Sequence, residues 1–186
     1  METAELPIPA KERYTYEDYA ELPEGAPYEL ISGKLIMAPA PSLLHQLVQS
    51  NLLYALTGFV REKDSGTVLA APVDVRLSDE TTVQPDVLFV AAEHSDRIGE
   101  QVIDGPPDLI VEILSPASAH RDAVVKKRLY EKHGVPEYWI IDPEGETVEL
   151  YRLEEGIYQQ KVRVVEKGNV SSTLLPGFSV ELADLF

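Results

Sequence analysis

Apolar residues in this chain follow two periods. From Leu44 to Val60 they recur every three or four positions, at Leu44, Leu47, Val48, Leu52, Leu56 and Val60. That spacing predicts an amphipathic helix, capped by Ser42, running to about Lys63 and broken by Gly66. Elsewhere they form short, β-branched runs bounded by turn residues. Thr67–Val75, Val83–Val90, Leu109–Leu114 and Glu137–Ile141 read as strands. Alternation over Thr147–Leu153 and Tyr158–Val165 predicts a C-terminal antiparallel hairpin. Tyr28–Ile31 and Lys34–Met37 flank Ser32-Gly33, which reads as a hairpin turn. Two shorter helices complete the pattern. One runs from Tyr16 to about Leu22, with Thr15 and Asp18 as a capping-box variant. The other covers Asp122–His133 and stops at Gly134. The order β, long α, βββ, α, β predicts an α/β fold, a central mixed β-sheet flanked by α-helices. A chain of 186 residues suits a single domain over 1–186.

Two acidic residues interrupt these apolar runs. Glu112 sits within Asp108–Leu114, and Asp86 within Val83–Val90. The pleat of a strand puts Glu112 on the same face as Ile110 and Leu114. A buried carboxylate loses hydration worth several kcal/mol unless a cation, a proton or donors compensate. Two of them on neighbouring strands suit a hard divalent cation. With no cysteine and no paired histidine, oxygen ligation favours Mg²⁺ or Mn²⁺ over Zn²⁺. The alternative is structural, with Glu112 bridged to a buried base and Asp86 capping a loop. Lys126 follows on the next predicted helix, where an ammonium would offset charge or orient a water. Its neighbour Lys127 points about 100° away and reads as solvated.

Charge bears on the choice of partner. The net charge is −16, from 32 acids against 16 bases, and a polyanion is repelled unless bases are grouped. Residues 1–30 are strongly acidic, whereas Arg121, Lys126, Lys127, Arg128 and Lys132 cluster over 120–133. That cluster is either a solvated helix face or the approach to a site. The absence of cysteine rules out disulfides and fits a reducing cytoplasm. The acidic N-terminal segment has no apolar stretch of the kind a signal peptide needs. No apolar run approaches the ~18 residues that would cross a membrane.

Pro85-Asp86 followed by Glu112-Ile-Leu114 resembles the signature of the PD-(D/E)XK superfamily of restriction-endonuclease-like nucleases. Leu114 departs from it, because the pattern has Lys there. Some superfamily members carry that lysine on a nearby helix, the place Lys126 takes here. Over nearly its whole length the chain resembles the Uma-two family of endonucleases, once catalogued as a domain of unknown function. The stretches that carry the resemblance are Tyr16-Glu-Asp-Tyr19, Tyr28-Glu-Leu-Ile-Ser-Gly-Lys34, His45-Gln46, Ala71-Pro-Val-Asp-Val-Arg-Leu77, Gln84-Pro-Asp86, Val111-Glu-Ile-Leu-Ser-Pro116 and Gly134-Val-Pro-Glu-Tyr-Trp-Ile-Ile-Asp-Pro143. The resemblance implies a restriction-endonuclease-like fold and Mg²⁺-dependent (or Mn²⁺-dependent) hydrolysis of phosphodiester bonds in nucleic acid, with DNA the first expectation. It implies that Asp86 and Glu112 hold the metal, helped by the carbonyl of Ile113, and that Glu29 is an extra acid beside it. A cytoplasmic homodimer is expected, since a double-strand cut needs two sites.

The other candidates each have a plainer reading. His45, in the first turn of the long helix, would touch phosphate or simply cap and pack. Gln84 would contact the water at the metal or have no part in the site. Ser115, in Ser115-Pro-Ala-Ser118, and Arg121 would contact substrate or belong to a turn and a solvated face. Asp74 reads as a strand-end residue, and Tyr138-Trp139 as core rather than a stacking platform. The rival to a nuclease is a non-catalytic binding module on a nuclease scaffold, which the acidic charge favours.

Overall fold

The computed structural model describes residues 8–38, 40–115 and 119–186, with the side chains of 119–123 outside the described set. A short helix α1 (Tyr16–Ala20) leads into a hairpin of β1 (Tyr28–Ile31) and β2 (Lys34–Met37). The long helix α2 spans Leu43–Lys63. Strands β3 (Gly66–Ala70), β4 (Asp74–Ser78), β5 (Thr81–Val83) and β6 (Val87–Ala91) follow, then a 3₁₀ turn and β7 (Val102–Asp104). Next come β8 (Leu109–Ile113), α3 (Ala119–Lys132) and β9 (Glu137–Asp142), with β8 and β9 parallel. The hairpin of β10 (Thr147–Glu154) and β11 (Ile157–Val165) precedes β12 (Asn169–Ser171), β13 (Ser179–Glu181) and α4 (Leu182–Leu185).

The strands divide between a larger sheet, ordered β11-β10-β9-β8-β6-β3, and a smaller one, ordered β2-β1-β5-β4-β7. Both mix parallel and antiparallel pairs. This division corrects two of the expected strands. Thr67–Val75 is not one strand. It breaks after Ala70 at Pro72, and β3 and β4 enter different sheets. Val83–Val90 breaks likewise, because Pro85 has no N–H to give a ladder. So β5 ends at Val83 and β6 begins at Val87, and Asp86 lies in the connection rather than inside a strand. Leu114 falls just past β8. At the helices, α1 ends at Ala20 instead of near Leu22, and α3 begins at Ala119 instead of Asp122.

Each face of the larger sheet is covered. Val48, Leu52, Leu56 and Val60 of α2 pack on one face against Phe89, Val111 and Trp139. On the other face Ile110 and Tyr138 meet Leu129 and Tyr130 of α3 and Val75 and Val83 of the smaller sheet. Along β8, Val111 and Ile113 therefore face α2, while Ile110 faces α3. Period-two alternation then sends Glu112 into the layer beneath α3, where a carboxylate finds no bulk water.

Candidate active site

Glu112 is buried, and its partners come from one helix face. Lys126 and Tyr130 are one turn apart on α3, so both side chains reach the same point. Lys126 Nζ donates to Glu112 Oε1 at 3.0 Å and to Oε2 at 3.1 Å. The Tyr130 hydroxyl donates to Glu112 Oε1 at 2.5 Å. Lys126 is shared with a second acid, since its Nζ lies 2.9 Å from Oε1 of Glu29 on β1. The same Glu29 oxygen accepts the backbone N–H of Gln84 at 2.9 Å. Glu29 is buried, not a solvent-facing strand residue.

Asp86 stands across from this group. The β6–β8 ladder pairs Val87 with Val111, so the next antiparallel position sets Asp86 against Glu112. The β6–β8 ladder stops at that Val87–Val111 pair, so beyond it a side chain can meet the Ile113 N–H. Asp86 Oδ2 accepts it, at 2.7 Å. Its other oxygen, Oδ1, lies 3.1 Å from His45 Nε2. The Asp86 carbonyl accepts from Gln49 Nε2 at 2.7 Å and from the Ala71 N–H at 3.1 Å. His45 itself is fixed by the start of α2, where the Ser42 hydroxyl accepts its backbone N–H. Its helical position, three before Val48, turns the ring inward. Its Nδ1 is buried with no hydrogen-bond partner among the described residues.

These side chains line one cavity of about 430 Å³, which holds Glu29, His45, Asp86, Glu112, Ser115 and Lys126 together. The electrostatics are those of an acid cluster with too few cations. Burial is the largest force on Glu112, pushing its pKa up to about 7. Lys126 and the Tyr130 hydrogen bond oppose this rise, and the charges of Asp86 and Glu29 add to it. Burial would lower Lys126, but Glu112 and Glu29 outweigh it and hold the ammonium above its ordinary value. Burial would likewise lower His45, and the hydrogen bond and charge of Asp86 reverse that. Among the described residues, no three His, Asp or Glu side chains converge on one point as a ready cation cage. Lys126 occupies the space between the acids. The donor set nevertheless suits a hard divalent ion. It is carboxylate oxygen with one imidazole, and Glu112 carries charge that Lys126 compensates only in part.

Other expectations need adjusting. Gln84 does line the cavity, but its side-chain amide donates to Asp74 Oδ1 at 2.9 Å and to the Tyr19 hydroxyl at 3.3 Å. Its task is to join α1, β4 and β1, and its backbone N–H is what meets Glu29. Asp74 opens β4, as a strand-end residue should. Lys127 is not simply solvated, because its Nζ sits 3.5 Å over the Tyr151 ring. Arg128 and Lys132 are exposed on α3 and do not line the cavity. The side chain of Arg121, and Ser118, lie outside the described residues. Tyr138 and Trp139 are core, fully buried. Tyr130 was missed, although its spacing from Lys126 on one helix face was the available signal. Glu137 was missed as a buried acid too. Its carboxylate accepts from Trp139 Nε1, the Ser172 hydroxyl and the Thr173 and Leu174 N–H groups, tying the C-terminal segment to β9.

The fold is thus a mixed sheet flanked by helices, with Asp86 just before β6, Glu112 near the end of β8 and Lys126 in the middle of α3. The chain belongs to the Uma2 family, whose model, described as "Putative restriction endonuclease", matches residues 16–183. Its fold is also that of a crystal structure described as "a putative nuclease belonging to DUF820" from Anabaena variabilis ATCC 29413. That structure matches with a TM-score of 0.76 at 24% identity, over 92% of this chain and 97% of the other. No curated protein matches the chain. Among the described residues, no helix is long and apolar enough to cross a membrane.

Proposed function

We propose that the cavity is the hydrolytic centre of a divalent-metal-dependent endonuclease acting on nucleic acid, with DNA as its first substrate. The observation that carries this reading is the meeting of Glu29, Asp86 and Glu112 around one buried Lys126. A fold that needed only stability would fill this space with apolar side chains, which are often as stable as a buried ion pair or more so. Asp86 and Glu112, with the main chain at Ile113, would hold Mg²⁺ or Mn²⁺. Such an ion supplies Lewis-acid charge and an activated water. Lys126 faces the phosphate and offsets the charge that develops on it. Glu29 keeps Lys126 in place, and His45 fixes the rotamer of Asp86. The absence of cysteine suits a cytoplasmic setting. The test is cleavage of single-stranded, double-stranded and branched DNA, and of RNA, with and without Mg²⁺ or Mn²⁺. Metal-dependent cutting that Glu112→Gln and Lys126→Ala abolish supports the proposal, and no cutting of any substrate overturns it.

A second reading, a binding module that does no chemistry, is favoured by one observation. Lys126 already contacts both oxygens of Glu112 in the place an ion would compensate. Retained binding to nucleic acid with no cleavage under any metal would select it.

A further inference from the structure

From Leu43 to Val60 helix α2 contains no Asp, Glu, Lys or Arg, in a chain that is 26% charged. Its inner face explains part of this, because Val48, Leu52, Leu56 and Val60 are core. The outer face is neutral as well, and a solvent-facing helix surface ordinarily carries charge. Leu43 is 83% exposed, Leu47 61% and Tyr54 85%. With Ser50, also exposed, they stand at successive spacings of four, three and four. That is the spacing of a helix–helix seam. Ile36 and Met37 of β2 add exposed apolar surface at the cavity rim that Gln46 of α2 also lines.

We propose that this outer face of α2 is the interface on which a second copy of the chain docks, two α2 helices crossing antiparallel about a two-fold axis near Ser50. Charge selects this partner. Two molecules of net charge −16 repel wherever their charged surfaces meet, and this face offers approach without that penalty. The same face lacks the cations that a polyanion would require. Self-complementarity follows from the pattern itself, since one neutral seam with a small residue at its middle pairs with its own copy. The area fits too. The exposed apolar surface of these side chains is on the order of 600 Å², at the top of the range for the largest patch on a monomer. With its rim it approaches the ~800 Å² per partner of a stable interface. Tyr54, a large aromatic almost fully in water, is the kind of side chain that anchors such contacts. Because α2 begins at the cavity rim, the partner copy would border each cavity.

The oligomeric state tests this without reference to any nuclease activity. The full chain, followed by light scattering behind gel filtration at micromolar concentration, is expected to have twice the monomer mass of 20.6 kDa. Leu47→Glu and Tyr54→Glu, at exposed positions, should each give the monomer mass with an unchanged far-UV spectrum. The natural chain has no cysteine, so single introduced thiols report position cleanly. Ser50→Cys should link two copies under mild oxidation, which requires Cα atoms within ~7 Å. Gly58→Cys, eight positions along the same helix, should stay unlinked, since its copies would lie roughly 24 Å apart at 1.5 Å of rise per residue. A wild-type monomer, a dimer that survives both charge substitutions, or a Ser50→Cys protein that fails to link would each overturn the proposal.

Discussion

The Tyr130 hydroxyl donates a 2.5 Å hydrogen bond to Oε1 of Glu112, from a ring packed edge-on against Tyr138. That bond favours the ionised carboxylate and fixes its plane. Tyr130→Phe keeps the ring and its packing while removing the donor. The variant should fold and lose about 1–3 kcal/mol, the cost of leaving a buried charged acceptor short of a partner. The loss should grow as pH rises through about 7, because only ionised Glu112 needs the donor. An outer-shell donor to a metal ligand typically supports 10–100-fold in metal affinity. Titration calorimetry with Mn²⁺ should therefore show weaker binding by at least ~10-fold. Unchanged affinity would make Tyr130 a packing residue only.

Lys126 gives the second prediction. It is the shared cation of Glu29 and Glu112, and its side chain is 14% exposed. Lys126→Met keeps much of the volume and strands two acids. The expected loss is about 3–5 kcal/mol at pH 8, or a fall in Tm of roughly 10 °C for a chain of this size. Two conditions should restore part of it. Below about pH 7 Glu112 takes up a proton, since losing the ammonium can only raise its pKa from about 7, and at pH 8 millimolar Mg²⁺ can stand in for the ammonium. Melting curves across that grid decide the matter. A variant as stable as wild type at pH 8 would mean that the ion pairs are dispensable.

Much of this site was legible in the sequence. An acid inside Leu109–Leu114 announced Glu112, and the chain distance to Lys126 placed a cation on the following helix. What period-two patterns hid was the effect of single prolines. Pro72 and Pro85 each cut an apolar run, because a proline gives no N–H to a ladder, and each cut moved chain from one sheet to the other. A run of β-branched residues read through both. Strands as short as β7, β12 and β13 carry too few residues for any period to register. Glu137 shows the limit of the signal that found Glu112. Both are acids in apolar strands, yet Glu137 is satisfied by neutral donors from Trp139, Ser172, Thr173 and Leu174, while Glu112 meets a lysine and other acids. Apart from Trp139, two residues on, the donors to Glu137 lie 35 to 37 residues away and Lys126 lies 14 from Glu112, so no local pattern separates the two.

Two groups make the stability of the metal-free protein fall as pH rises. Glu112 has a folded pKa of about 7 against an ordinary 4.5. Between those values the folded state binds the proton and the unfolded state does not. Its contribution is thus most favourable below 4.5 and declines by about 3 kcal/mol up to pH 7, then levels. His45 acts in the same sense. Its pKa is raised by Asp86 despite burial, so the stability it gives is complete below its ordinary 6.5 and lost as pH rises past the folded value. Lys126 does not contribute in this window, because its raised pKa matters only above 10.5. Denaturant unfolding in EDTA at pH 5 and pH 8 should show the decline. The carboxyl carbon signal of Glu112 should titrate near 7. A midpoint near 4.5 would remove the argument.

Glu112→Gln brings these strands together. The amide preserves size and removes the charge. Lys126 is not stranded, because Glu29 remains 2.9 Å from its ammonium. Glu112 is also the acid whose ionisation is most opposed, by burial first and then by Asp86 and Glu29. In EDTA at pH 8 the variant should therefore be at least as stable as wild type, and the advantage should vanish near pH 4.5, where Glu112 is already neutral. Excess Mg²⁺ should raise the Tm of wild type and leave the variant unmoved, since ligand binding to the folded state stabilises by mass action. Any metal-dependent cleavage should be lost with the fold intact. A structural ion pair predicts the reverse, a loss of about 3–5 kcal/mol in EDTA with no response of wild type to metal. Melts of both proteins, with EDTA and with Mg²⁺, separate the two cases before any substrate is known.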